Sequence, residues 1–306
     1  MNYIIIDSGT SSTKAFLFNS DGVVLHSQKI KHALFRPQQY HVESDALVIL
    51  ETCKSLFEKM VIASGDMPVH SSGLAIQRST FLFWEKESCT PVTPALSWQD
   101  SRAYAIVEEF STQSEQLWQI TGTPLGAHFG GPKFLHMIRE NPQLKNRVKN
   151  GELYFGPLSA FLSQAMTGTA GVEESIACRS LLYDIHRGDW SDFALNLFGV
   201  SPQCLPPLVP VKYDFGYMLD SKIPLAVVIG VIISALVFAW DNAKRIRARK
   251  HIANDGTKHY EIYGPLFFGS VQAFNDKFDI LNDPEQIVID FAESRVVDMS
   301  AIEALN

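Results

Sequence analysis

"IIIDSGTSSTKAFLF", residues Ile4–Phe18, sets the reading of the first half of the chain. An apolar run from Tyr3 to Ile6 gives way to the polar turn "DSGTSSTK", and a second apolar run follows from Ala15 to Phe18. The turn "NSDG", Asn19–Gly22, then leads into "VVLHSQKIK". Apolar runs separated by clusters of Gly, Ser, Asn and Asp predict strand, turn, strand, turn, strand. That order excludes a Walker loop, which passes from a strand into a helix, and the GxxxxGK[ST] pattern is absent as well. A turn rich in Gly, Ser and Thr can still present backbone N–H groups and hydroxyls to an anion as a nest. Asp7, just before it, could hold a metal ion through water. The same residues also read as an ordinary polar turn.

Further along, α/β elements succeed one another. Ser44 is placed to cap a helix through "LVILETCKSLFEKMV". Short apolar runs follow in "SGLAIQRSTFLFWEK" and "PALSWQDSRAY", each broken by polar groups where a strand should end. Gln77, Arg78, Trp98, Asp100 and Arg102 sit at those breaks. Strand ends of an open α/β sheet converge on a crevice where ligands bind. Alternatively, Arg78 and Asp100 form a structural ion pair and Trp98 belongs to the core.

Composition sets outer limits. With 306 residues, 46% hydrophobic and 19% charged, the chain can bury one large core or two ordinary ones. Its net charge of -7 gives no electrostatic reason to expect nucleic acid as a partner. Cys53, Cys89, Cys178 and Cys204 lack metal-site spacing and are sparse for a disulfide scaffold, so reduced cytosolic thiols are expected. The opening "MNYIIIDSG" shows no basic region and long apolar stretch, so no cleaved signal is expected.

Five stretches, "IIIDSGTSSTKAFLF", "GLAIQRST", "PALSWQDSRA", "TGTPLGAHFGGPKFLHMIRENP" and "DIHRGDW", resemble in their order the FGGY carbohydrate kinases, with the glycerol kinase branch nearest. The resemblance covers residues 1–216. It implies a ribonuclease-H-like (actin/hexokinase-type) α/β fold and transfer of the ATP γ-phosphoryl group, with Mg2+, to a hydroxyl of a polyol or sugar. It implies Asp7, Thr10, Ser11 and Lys14 as the phosphate and metal turn. Gln77, Arg78, Trp98, Asp100 and His128 become the substrate residues. Two positions depart from the pattern: Ser79 stands where glycerol kinases usually carry a glutamate, and His128 where they usually carry a tyrosine. Both changes remove groups that bind small-polyol hydroxyls, which points away from glycerol itself. A third departure follows "LPPLVPVKYDFG", where a GDQ-like segment bearing the catalytic aspartate should open a second domain. The Gly-Asp pairs, Gly65-Asp66 and Gly188-Asp189, precede that place, and Asp214 and Asp220 are the nearest carboxylates. No catalytic base is assigned, and phosphoryl transfer by this chain alone is not expected.

After a junction at 217–222, residues Ile223–Trp240 carry no charge. At about 1.5 Å per residue they would form a helix of about 27 Å, close to the bilayer's apolar thickness. A buried helix or a strand pair is the alternative, given the many Val and Ile residues. Lys244, Arg245, Arg247, Arg249 and Lys250 follow, in a basic linker at 241–257 suited to anionic lipid headgroups, so 223–250 is expected to meet a membrane. Beyond it, "HYEIYGPLFFGS" reads as two short strands around Gly264-Pro265, "VQAFNDKFDIL" as a helix, "EQIVIDFA" as a buried strand and "MSAIEALN" as a helix start. "GPLFFGS" and "DFAESRVVDMSAIEAL" resemble the end of a SulP anion transporter, which implies a last transmembrane helix and an incomplete STAS-type α/β domain over 258–306. Ser300 then reads as a helix N-cap, or as a phosphorylated regulatory serine by that resemblance. Three classes result: a carbohydrate kinase front domain kept in the cytoplasm and lacking its second domain, the end of a transporter lacking its core, and a membrane-tethered sugar-binding module.

Overall fold

The computed structural model describes residues 1–210, 213–218, 223–226, 247–253, 255–266, 274–275, 277–278, 283–284 and 286–296. The chain divides into two compact units, Met1–Ile229 and Gly230–Asn306.

In the front unit the expected hairpins form as β1 (Asn2–Ser8), β2 (Ser12–Asn19) and β3 (Val24–Lys31), antiparallel to one another in that order. Asn19 fixes the second turn, its Oδ1 accepting from the amides of Asp21 and Val23. A short β4 (Glu43–Ser44) leads into α1 (Ala46–Ser64). The cap is Asp45, not Ser44: its carboxylate accepts from the amides of Leu47 and Val48, while Ser44 is taken up in β4. Ile49, Cys53, Leu56 and Met60 of α1 recur at helical spacing and pack with Ile4, Ile6, Ala15 and Leu17 of the sheet.

The chain returns as β5 (Val69–Ile76), parallel to β1 in the register Ile5↔Gly73 and Asp7↔Ala75. Burial of Ile4, Ile5 and Ile6 in succession shows that β1 is covered on both faces, as a central strand of a partly parallel sheet requires. Beyond β5 the sheet continues into strand Pro224–Ala226, parallel to β5, and then Asp214–Tyr217, antiparallel to it. Three antiparallel strands continued by two parallel ones make the ribonuclease-H-like sheet that the resemblance implies.

Pro224–Ala226 also corrects the membrane reading. The apolar run begins as a strand laid along Ser72 and Gly73, not as a helix. The rest of the run, 227–240, lies outside the described residues, as do Lys244 and Arg245. Among the described residues no helix is long and apolar enough to cross a membrane.

A second sheet in the front unit orders as β4, β7 (Ala95–Leu96), β6 (Phe81–Glu85) and β8 (Leu153–Pro157). Phe83 of β6 lies 4.7 Å from Phe155 of β8, ring centre to ring centre, and both are fully buried. Helix Gly130–Glu140 packs beside them, and its glycines permit a close approach. A Cβ on Gly131 would stand 2.5 Å from Phe198 Cδ2, and Phe198 is itself fully buried. Gly131→Ala is therefore expected to cost about 1–3 kcal/mol through overpacking, more than the helix propensity of alanine returns. Thermal unfolding checks this, and a midpoint at or above that of the parent chain would contradict it.

In the second unit, strand Arg247–Ile252 pairs antiparallel with Lys258–Leu266, which pairs parallel with Ile287–Asp290 and with Ser294–Val296. Arg247, Arg249 and Lys250 of the basic cluster thus belong to a strand. Gly264 and Pro265 fall inside a single strand where two had been expected, and Ile287 and Val288, read as buried, are each 43% exposed. Most of "VQAFNDKFDIL", and Ser300 with the last helix start, lie outside the described residues.

Candidate functional site

Because β1 and β5 are parallel neighbours, their C-terminal ends lie side by side, and the amide of Gln77 donates to the Ser8 carbonyl at 2.9 Å to bind the two exits together. On the β1 side the turn to β2 is closed by the Gly9 amide donating to the Ser12 carbonyl at 3.0 Å. A Cβ on Gly9 would come within 3.3 Å of that carbonyl, so glycine suits the turn. Asp7 and Lys14 face each other in the β1–β2 register, with Lys14 Nζ 3.5 Å from Asp7 Oδ2 and both side chains 42% exposed. Thr10 and Ser11 form the tip between them, Ser11 exposed.

On the β5 side, Gln77–Thr80 connect β5 to β6. Trp98, just after β7, is 44% exposed rather than part of the core, and its Nε1 donates to Thr10 Oγ1 at 2.9 Å. That bond joins the expected substrate loop to the expected phosphate turn. Arg78 is exposed and makes no ion pair with Asp100. Both polar atoms of the Gln77 amide are buried without a hydrogen-bond partner among the described residues. Such a group costs about 1–3 kcal/mol unless something bonds to it.

Asp100 is placed differently from the other substrate candidates. It is fully buried, accepts from the Val42 amide at 2.7 Å, and binds Arg102 through Nε and Nη2 at 3.0 and 2.8 Å. Arg102 Nη2 also donates to Glu43 Oε1 at 2.6 Å. The cluster ties β4 to the Trp98 loop, and Asp100 has no surface left toward a ligand.

Two residues that the sequence did not single out shape the site. Lys133, fully buried on helix Gly130–Glu140, donates through Nζ to the carbonyls of Ser79 at 3.0 Å, Leu96 at 3.3 Å and Ser97 at 2.6 Å, holding both substrate loops at once. Arg179 stacks over the Phe129 ring at 4.7 Å and points Nε at Ser79 Oγ, 3.4 Å away. Ser79 itself takes a left-handed backbone, φ 60°, the kind of strain that gathers at binding loops. His128 lies against Phe129, ring centres 3.8 Å apart. Burial, with the charges of Lys133 and Arg179, holds its imidazole below the ordinary range.

Burial pushes the Lys133 ammonium down to about 7, with the Asp100 charge partly offsetting the shift. Above pH 7 the folded chain therefore binds fewer protons at this site than the unfolded chain, whose lysine titrates near 10.5. Stability is expected to rise with pH, by up to about 2 kcal/mol between pH 7 and 8.5. The buried thiols of Cys53 and Cys204, raised to about 12, oppose this trend only above their ordinary 9.0. Urea unfolding followed by tryptophan fluorescence is the measurement, and Lys133→Met should lose the slope; a variant that keeps it would show that another group titrates.

A divalent cation fits the Asp7 turn in one way. Among the described residues no cluster of three His, Cys, Asp or Glu groups could hold a metal by itself. A lone half-exposed carboxylate beside hydroxyls suits Mg2+, which keeps much of its water and takes further ligands from phosphate oxygens.

A profile of the FGGY family of carbohydrate kinases, N-terminal domain, matches residues 2–242. Glycerol kinase 1 of Thermotoga maritima is 31% identical over 246 residues, which cover 77% of this chain and 50% of that protein. The glycerol kinase of Natranaerobius thermophilus is 30% identical over 247 residues, with 77% and 50% covered. The crystal structure of Plasmodium falciparum glycerol kinase with ADP superposes with a TM-score of 0.72 at 24% identity, covering 80% of this chain and 52% of that one. The chain spans about half the length of the curated relatives it matches. With a matching profile over most of its length and a sheet of the implied order, the chain belongs to the FGGY family of carbohydrate kinases.

Proposed function

We propose that the front unit is the substrate- and phosphate-binding half of a kinase that passes the ATP γ-phosphoryl group to a hydroxyl of a sugar or polyol. The Trp98–Thr10 bond carries this reading, because it brings the loop expected to hold substrate against the turn expected to hold phosphate. In this assignment Lys14 places a point charge on the phosphates, and Asp7 would hold Mg2+ through water, a cation that would supply charge neutralisation. Thr10 and Ser11 supply hydroxyls. Gln77, Arg78, Trp98 and His128 contact the substrate, while Asp100 works from behind through the loop. The assignment places this unit in the cytoplasm, where ATP is.

For the back part, the SulP and STAS resemblance and a transporter core as partner rest on sequence patterns alone, and the comparisons lend them no support; strand Pro224–Ala226 and the family match through residue 242 count against a membrane tether at 223–250. Titration calorimetry of the full chain with a panel of polyols, sugars and sugar acids tests the front-unit proposal. Binding of one of them, weakened at least about tenfold by Trp98→Ala, is the expected result. No binding across the panel would overturn it.

A further inference from the structure

We infer that the substrate carries a carboxylate, received by Arg78 and Arg179, so that this chain selects a polyhydroxy acid over a neutral polyol. The inference rests on the proposed function and specifies its substrate class. Its basis is an imbalance of charge around Ser79. Arg78 immediately precedes Ser79, and Arg179 points Nε at the Ser79 hydroxyl from 3.4 Å, so the two arginines flank that residue; burial and the Arg78 charge together lower the Arg179 guanidinium. Among the described residues neither makes an ion pair: Arg179 has the Ser79 hydroxyl and the Phe129 ring, and Arg78 has no side-chain partner.

The nearby acids are committed elsewhere. Asp100 is bound to Arg102, and Glu173 spends its carboxylate on the Ser175 amide at 2.8 Å and the Ser175 hydroxyl. The Arg179 guanidinium, partly desolvated without an anion, is costly to leave so, and a planar carboxylate matches its forked donors together with those of the exposed Arg78 beside it. Position 79 is where the resemblance implies a glutamate. With serine there, a carboxylate that would belong to the protein is missing, and the substrate can bring its own. His128, held below its ordinary range and so neutral near pH 7, is suited to exchange a hydrogen bond with a hydroxyl near that carboxylate.

The experiment is titration calorimetry on the full chain with sodium D-glycerate, sodium D-gluconate, glycerol, sorbitol and glycerol 3-phosphate. At least one of the two acids is expected to bind about tenfold or more tightly than its neutral counterpart. Ser79→Glu should reverse that preference by filling the charge from the protein side. Since Ser79 is buried and its variant can fail to fold, Arg78→Gln serves as the second variant. Arg78 is exposed, so the thermal midpoint should stay while the preference for acid over polyol falls by about tenfold. Tighter binding of glycerol or sorbitol than of either acid would overturn the inference and leave the proposed function standing. Binding of glycerol 3-phosphate alone would overturn the carboxylate assignment, and no binding of any probe would overturn both readings.

Discussion

Asp100→Ala is expected to destabilise the front unit by about 3–5 kcal/mol, the usual cost of breaking a buried ion pair from one side. The carboxylate is fully buried and is the shared acceptor for the Val42 amide and two nitrogens of Arg102. Removing it strands an N–H and leaves a largely buried guanidinium with only Glu43. Asp100→Asn should cost less, since one oxygen still accepts, but its amide hydrogens then face other donors. Urea unfolding followed by tryptophan fluorescence gives the number, and a loss under about 1 kcal/mol would refute the account. The pair of variants also tests the role expected by resemblance. If Asp100 touches substrate, Asp100→Asn should abolish ligand binding with stability nearly intact; if it braces the Trp98 loop, binding and stability should fall together.

Legibility along the chain followed how much local pattern each element carries. β1, β2 and β3 were readable because turn residues punctuate apolar runs at short range, and α1 because its apolar residues keep helical spacing. The second sheet was not, since β4 and β7 are two residues each and contain no period to detect. Pro224–Ala226 was misread for a different reason. A continuous Val- and Ile-rich run suits a buried parallel strand and a membrane helix alike, and only its pairing with β5, far away in sequence, decides. Lys133 did leave a signal: it lies four residues before Met137 and three after Gly130, on the buried face of its helix, where a lysine needs acceptors. Arg179 left none, because nothing near it in sequence records that Ser79 lacks a carboxylate.

The largest expected effect is on rate. The 306-residue polypeptide, assayed alone with ATP, Mg2+ and either glycerol or the acid it binds best, is expected to form no phosphorylated product above background. The front unit supplies candidates for positioning substrate and phosphate, yet transfer also needs a base to take the hydroxyl proton, and none is assigned among the described residues. Asp7 is occupied with Lys14 and assigned to the metal. Asp66 and Asp189, of the two Gly-Asp pairs, are exposed, the first beyond the end of α1 and the second in a surface hairpin. Asp214 is exposed at the start of its strand, its Oδ1 accepting from the Gly216 amide, and Asp220 lies outside the described residues. Loss of a general base alone costs about 10²–10⁴ in rate, and incomplete positioning of the nucleotide costs several powers of ten more. Binding without turnover is therefore the expected signature, and it separates this assay from the calorimetric ones. Steady ATP-dependent product formation that disappears in Asp7→Ala would show that the chain carries a base of its own, and the assignment of a binding half without a catalytic one would be wrong.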